Sequence, residues 1–97
     1  MPKGYWIASV DVADPEAYKG YIAAHTPVLR RFGARFLVRG GQRQVVEGTV
    51  RQKSVVIEFE SYQVALECYQ SDDYQQAAAI RHRFAASDIV IVEGYEG

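Results

Sequence analysis

The sequence contains a single cysteine, Cys68, and only two histidines, His25 and His82. One cysteine excludes a disulfide framework and a cysteine metal cluster, and it is typical of a reducing compartment, so a cytoplasmic location is predicted. Neither histidine has an acid at ligand spacing, so no metal site is predicted. There is no glycine-rich phosphate loop, serine elbow or two-carboxylate motif, and phosphoryl and acyl transfer therefore lack support.

The chain also lacks a basic run and a long apolar run. Its formal net charge is -1, with acids and bases interspersed, which argues against nucleic acid or an anionic membrane as partner. No segment approaches the roughly 20 apolar residues that a membrane span needs, and the apolar run at the N-terminus is too short for a signal peptide. No cofactor motif is present, so no cofactor is predicted.

What the sequence does contain is tyrosine, at seven of 97 positions. Tyrosine-rich small domains often have a large interface or a ring-lined pocket. A chain of this length is predicted to form one domain, residues 1–97, with a core that needs no covalent staples.

The first half of the chain reads as strand, helix, strand. Residues 4–12 alternate as a strand, with Trp6 and Ala8 on one side and Tyr5 and Ile7 on the other. Asp14 and Pro15 suit the first positions of a helix. That helix carries an apolar stripe that Pro27 is expected to kink or loosen. Its stripe is Tyr18, Tyr21, Ile22, His25, Val28, Leu29 and Phe32.

After Gly33, a helix stop, residues 34–39 are predicted as a second strand. Residues 44–47 are predicted as a short return strand or a bulged extension. Residues 53–60 form the next strand and are followed by a helix in two pieces, capped by Ser61 and Ser71. An apolar run at residues 89–93 is predicted as the last strand.

This order predicts an α+β fold of the ferredoxin-like βαββαβ type, a four-stranded antiparallel sheet with two helices on one face. Two helices cover only one face, yet the first and last strands are apolar on both. The uncovered face would exceed the apolar patch that soluble monomers tolerate. A homodimer packed through this sheet face, a dimeric α/β barrel, is therefore predicted.

Several segments together carry a family resemblance: GYWIASVDVADPEAYKGY, GARFLVRGG, Glu47-Gly48, VVIEFES, SDDYQ with Arg81, and VIVEG. The chain resembles the domain of unknown function family numbered 1330, a branch of the dimeric α/β-barrel superfamily. The resemblance implies the ferredoxin-like fold and the dimer, and no established activity. Superfamily relatives include cofactor-independent monooxygenases, isomerases and haem-handling enzymes, often with a pocket between sheet and helices. The chain departs from the family at Asp72-Asp73, which affects helix capping.

His25 is the candidate catalytic residue, since a neutral imidazole beside Tyr18 and Tyr21 could accept a proton in a pocket. The alternative is a half-buried histidine bonded to a backbone carbonyl. Tyr18, Tyr21, Tyr69 and Tyr74 are candidate ligand-binding residues for a flat apolar compound, or ordinary residues at the edge of the core.

Glu58 and Arg81 form a second candidate pair, because a strand carboxylate and a guanidinium on the following helix could meet across the layer. Such a pair would be a structural clamp or would hold one end of a polar ligand. Arg39 could bind an anion at the mouth of a pocket, or it could be a solvated strand end. Cys68 is interpreted as inert packing.

Two hypotheses of function follow. The first is a small dimeric enzyme of the monooxygenase or isomerase type that acts on a small aromatic or carbonyl compound, an analogy with the superfamily. The second is a non-catalytic ligand-binding or regulatory module. A cavity between sheet and helices that is lined by His25 or Arg81 would favour both over a structural role.

Overall fold

The chain forms four strands and three helices in a computed structural model that describes all residues Met1–Gly97. The elements are β1 (Gly4–Val12), α1 (Pro15–Arg31), β2 (Arg35–Arg39), β3 (Lys53–Phe59), α2 (Tyr62–Gln70), α3 (Asp72–Phe84) and β4 (Ala85–Glu93). No helix is long and apolar enough to cross a membrane.

The four strands form one sheet in the order β2-β3-β1-β4, and every neighbouring pair is antiparallel. Trp6, on the central strand β1, lies opposite Ile57 of β3 and Ile91 of β4. These three side chains share the face that the helices cover, because side chains alternate along a strand. The predicted α+β ferredoxin-like fold, with the second helix in two pieces, is confirmed.

Short polar side chains begin each helix. Asp14 Oδ1 accepts a hydrogen bond from the Ala17 amide at 3.2 Å, and the hydroxyls of Ser61 and Ser71 accept from amides three residues on. Each cap satisfies a backbone donor that the helix itself leaves free. Helix α1 continues through Pro27 and ends before Gly33, whose φ of +73° favours glycine.

Aromatic rings fill the core between sheet and helices. Trp6 packs against Phe59 and Tyr74 with ring centroids 5.0 and 4.8 Å away. Its indole Nε1 donates to the carbonyl of Ala65 in α2 at 2.9 Å. A buried ring whose polar atom has a partner adds apolar contact without an unsatisfied donor, so Trp6 fixes α2 against the sheet.

One predicted boundary and one predicted element were wrong. Strand β4 begins at Ala85, directly after α3, and its first residues pair with Val12 and Asp11 of β1. Alanine and aspartate have low strand propensity, so pairing with β1 overrides the local preference. Residues 44–47 form no strand, and β2 instead has a register shift between Phe36 and Val38.

Side chains hold the end of the loop of residues 40–52 in place of strand pairing. Asp11 accepts hydrogen bonds from the amide of Gln52 at 2.8 Å and from Arg51 Nη1 at 3.0 Å. Arg51 Nε also donates to Asp88 at 3.0 Å. These contacts fix only the end of the loop, at Arg51 and Gln52; residues 41–50 are exposed, so water can satisfy their backbone groups without a return strand.

The sheet face opposite the helices is here called the open sheet face. It presents Tyr5, Ile7, Ser9, Val38, Val56, Glu58, Val90 and Val92. Within one chain, Ile7 is 45% exposed and its cross-strand partner Val90 is 54% exposed. This face is the apolar surface for which the sequence predicts a second copy as cover.

Candidate functional site

The site is organised around a buried arginine. Arg81, on the sheet-facing side of α3, is only 3% exposed. Its Nη1 donates to the Tyr74 hydroxyl at 3.2 Å, and its Nη2 lies 2.9 Å from Nε2 of His82. No carboxylate of the chain forms an ion pair with Arg81, and its Nε has no hydrogen-bond partner. A buried cation without a counter-charge is costly and unusual.

Tyrosines surround this guanidinium. The Tyr21 and Tyr74 hydroxyls share a hydrogen bond of 2.6 Å, and Arg81 Cζ lies 5.6 Å from the Tyr21 ring centroid. Burial raises the pKa of both tyrosines, so they are neutral phenols at physiological pH. They can offer dipoles and ring faces to the cation but no negative charge, so the charge of Arg81 is uncompensated within the chain.

An open cleft of about 470 Å³ lies beside Arg81, and we call it the Arg81 cleft. It lies where α2 and α3 meet the start of β4, and its volume is within the range of small-molecule sites. The one carboxylate in its wall belongs to Asp88, which accepts a hydrogen bond from Arg51 Nε. The lining residues are Tyr69, Arg81, His82, Ala85, Ser87, Asp88 and Ile89.

A second cleft, the Tyr18 cleft, lies between α1 and the edge formed by β2 and β3. It has a volume of about 400 Å³ and shares no lining residue with the Arg81 cleft. Tyr18 and Arg39 both line it. Tyr18 also packs against Tyr21, and Tyr21 against Tyr74, with ring centroids 5.3 and 6.3 Å apart, so a row of rings runs from the Tyr18 cleft to the tyrosines around Arg81.

His25 lies inside the core rather than at a cleft wall. It is 3% exposed, and its ring packs edge-on against Tyr21 at 4.6 Å and near Phe36 at 6.1 Å. It lines neither cleft, and its Nδ1 has no hydrogen-bond partner. The structure therefore supports a packing role for this imidazole beside the tyrosines, and its direct contact with a ligand stays a prediction.

His25 should make the protein less stable in acid. Burial lowers the pKa of His25 to about 4, and the cations Arg39 and Arg81 act in the same direction. An unfolded histidine titrates near 6.5. The stabilisation that results from a neutral His25 in the folded state is therefore complete above about pH 6.5 and is lost as the pH falls towards about 4. The total loss in the free energy of unfolding is on the order of 3 kcal/mol.

Urea unfolding at pH 7 and pH 4.5 measures this effect. His25→Phe, which keeps a ring in the core, should show a smaller loss between the two pH values than the wild type. His82→Asn, at an exposed position, should keep the wild-type loss. Equal losses in His25→Phe and wild type would contradict the assignment.

The predicted pair of Glu58 and Arg81 does not form. Glu58 lies on the open sheet face, where its carboxylate accepts a hydrogen bond from the Tyr5 hydroxyl at 3.0 Å. Arg81 lies on the opposite side of the sheet. Alternation along β3 separates them, because Val55, Ile57 and Phe59 already occupy the helix-facing side. Burial raises the pKa of the Cys68 thiol to about 12, as expected for inert packing.

The structure thus brings Tyr69, Tyr74 and Arg81 together with Tyr21, and it places Tyr18 and Arg39 at the other cleft. Sequence reasoning did not include His82, Ser87 and Asp88, which complete the wall of the Arg81 cleft. The only available signal was their closeness in sequence to Arg81. Their convergence depends on β4 starting at Ala85, a boundary the pattern did not predict.

Comparison with known proteins supports this fold. The family model described as "Domain of unknown function (DUF1330)" matches residues 3–95. No curated protein matches the chain in sequence. Among solved structures, the RPA0582 protein of unknown function from Rhodopseudomonas palustris is similar, with a TM-score of 0.73 and 19% identity, covering 99% of this chain and 85% of that one.

Two further structures resemble the chain. SnoaB, a cofactor-independent oxygenase from Streptomyces nogalater, has a TM-score of 0.66 at 10% identity, covering 100% of this chain and 97% of SnoaB. A dimeric ferredoxin-like protein of unknown function from Thermobifida fusca has a TM-score of 0.60 at 17% identity, covering 95% and 89% of the two chains. At identities this low, the structural similarity shows a shared fold alone.

Proposed function

The chain belongs to the family described as "Domain of unknown function (DUF1330)", a description that gives no activity, and we propose its function from the geometry of the Arg81 cleft. The protein binds a small aromatic or carbonyl compound as its anion, a phenolate or enolate, with the charged oxygen beside Arg81. The single observation that carries this proposal is a buried guanidinium that no carboxylate of the chain neutralises. An anionic ligand in the cleft would supply the missing charge.

The surrounding residues suit such a ligand. Tyr69 offers a ring to an aromatic compound, Ser87 offers a hydroxyl, and Ile89 offers apolar surface. The neutral tyrosines behind Arg81 add no negative charge to the site, because burial raises their pKa. The site therefore favours the ionised form of a ligand over its neutral form.

The proposed reaction is a cofactor-independent monooxygenation of the bound compound. The bound compound has an acidic CH₂ group beside a carbonyl. Loss of one proton from this group gives an anion that Arg81 holds and that is electron-rich enough to react with O₂. One oxygen atom becomes a new carbonyl, and the other leaves as water with the two hydrogens of the CH₂ group, so no external reductant is needed. The similarity to the fold of SnoaB, described as a cofactor-independent oxygenase, supports this choice.

The second candidate is a binding module without turnover. It is favoured by the lack of a free base at the cleft: His25 is inside the core, and His82 Nε2 faces the Arg81 guanidinium at 2.9 Å. Such a site would bind compounds that are already ionised in solution and would release them unchanged.

Binding is tested with 4-nitrophenol, whose absorbance reports its ionisation. We expect the bound phenol to ionise about one pH unit lower than the free phenol, which corresponds to about 1.4 kcal/mol of preference for the anion. The neutral 4-nitroanisole should bind weakly. An unchanged pKa on binding, or equal affinity for both compounds, would contradict the proposal.

Turnover is tested with 2-tetralone, which has an acidic CH₂ group between a ring and a carbonyl. Oxygen uptake matched by a dione product would support the monooxygenase. Enhanced deuterium uptake at the CH₂ group without oxygen uptake would instead indicate enolisation, the isomerase class. Binding without either result would leave the binding module as the function.

We also propose that two chains pair through the open sheet face as a homodimer. The exposed apolar side chains of that face support this assembly. The similarity to a solved protein described as dimeric and ferredoxin-like also supports it.

A further inference from the structure

The Tyr18 cleft has a composition that differs from that of the Arg81 cleft. Its floor is apolar and consists of partly buried side chains from α1 and the sheet, including Ile22, Phe36 and Val55. Tyr18 forms one wall, and its hydroxyl makes no hydrogen bond within the chain. Such a floor favours a ring or a short hydrocarbon group over a purely ionic ligand.

Two cations stand at the rim of this cleft. Arg39 Cζ lies 4.4 Å from the centroid of the Phe36 ring, and Lys53 Nζ lies 5.9 Å from the centroid of the Tyr18 ring. These contacts hold both charges over the aromatic walls. Neither cation forms an ion pair or a hydrogen bond with another side chain of the protein.

No acid lines the cleft, so its charge is positive overall. Lys19 also lies at the rim, but Glu16 neutralises it at 3.0 Å. Two unpaired cations beside an apolar floor are complementary to a molecule that has a carboxylate at one end and a ring at the other. A bare phosphate would leave the apolar floor without a partner, and a neutral aromatic compound would leave the cations without one.

We infer that the Tyr18 cleft is a second binding site, for a small aromatic carboxylate. The carboxylate lies between Arg39 and Lys53, and the ring packs on Phe36 and Val55 beside Tyr18. The inference is independent of the function proposed for the Arg81 cleft, because the two clefts share no lining residue.

The test is calorimetric titration with 2-naphthoate. Arg39→Gln and Lys53→Gln should each weaken binding about tenfold, and the double variant should weaken it further, since each removes one charge-assisted contact. Binding to the wild type should fall with rising salt, because both cations are exposed. The neutral 2-naphthamide should bind weakly to all variants alike.

The controls separate this site from the Arg81 cleft and from general charge effects. Arg30→Gln removes an exposed cation of α1 that lies outside the cleft, and Arg81→Met removes the cation of the other cleft. Arg30→Gln should keep wild-type affinity for 2-naphthoate, and Arg81→Met should keep the binding event that Arg39→Gln and Lys53→Gln weaken. Absence of binding to the wild type, full affinity in the double variant, or loss only in Arg81→Met would overturn the inference.

Discussion

Ile7→Asp should disrupt the proposed homodimer and give a monomer. Light scattering on the wild type is expected to give about 22 kDa at micromolar concentration, twice the 10.9 kDa of one chain, and the variant should give the mass of one chain. Ile7 lies on the central strand β1, on the open sheet face, opposite Val90. Its side chain therefore lies at the middle of the proposed interface.

The physical reason is the cost of burying a charge. A carboxylate placed in an apolar interface loses its hydration without gaining a partner, which costs several kcal/mol. A two-fold interface contains the substitution twice, so the penalty is doubled. Each 1.4 kcal/mol weakens association about tenfold. The side chain is 45% exposed within one chain, so the fold itself should tolerate the aspartate.

Ala79→Asp is the matched control, because it adds the same charge at an exposed position of α3. This variant should remain a dimer. A wild-type protein that is already monomeric, or an Ile7→Asp variant that remains dimeric, would show that the open sheet face is not the interface.

Arg81→Met should weaken ligand binding and leave the protein at least as stable as the wild type. The phenolate of 4-nitrophenol should lose about tenfold to a hundredfold in affinity, the expected loss of a charge-assisted contact in a partly dry site. The free energy of unfolding should stay equal or rise by about 1–3 kcal/mol, because methionine fills similar space without a buried charge.

A loss of ligand affinity without a loss of stability distinguishes a binding residue from a structural one. If Arg81 were a structural clamp, its replacement would destabilise the protein, because Tyr74 would lose a needed partner. Tyr74 keeps its 2.6 Å hydrogen bond to Tyr21 without Arg81, so we expect no such loss. Arg83→Met, at an exposed position two residues further along α3, is the control and should change neither quantity. A large fall in stability with unchanged affinity would contradict the prediction.

Much of the fold could be predicted because its signals are local. The alternation at residues 4–12 and the caps at Asp14, Ser61 and Ser71 act within a few residues, so each element could be inferred from its own segment. The extension of β4 back to Ala85 could not, since that segment becomes a strand only by pairing with β1. Propensity carries no information about such a partner.

The candidate site was predictable in part, for the same reason. Tyr21, His25 and Arg81 fall on helical stripes, and all three are buried. The proposed partnership of Arg81 with Glu58 failed because it required a contact between elements, and the two side chains point to opposite faces of the sheet. The separation of Tyr18 and Arg39 from Arg81 into different clefts likewise depends on packing.

Local sequence signals were enough to predict the order of strands and helices and a sheet that is apolar on both faces. Only the packing of the elements determined that Arg81 has no counter-charge and that two clefts form from residues far apart in sequence. The physical reason is that propensity and periodicity operate over a few neighbouring residues, whereas the field at a buried charge depends on every group that folding brings close to it.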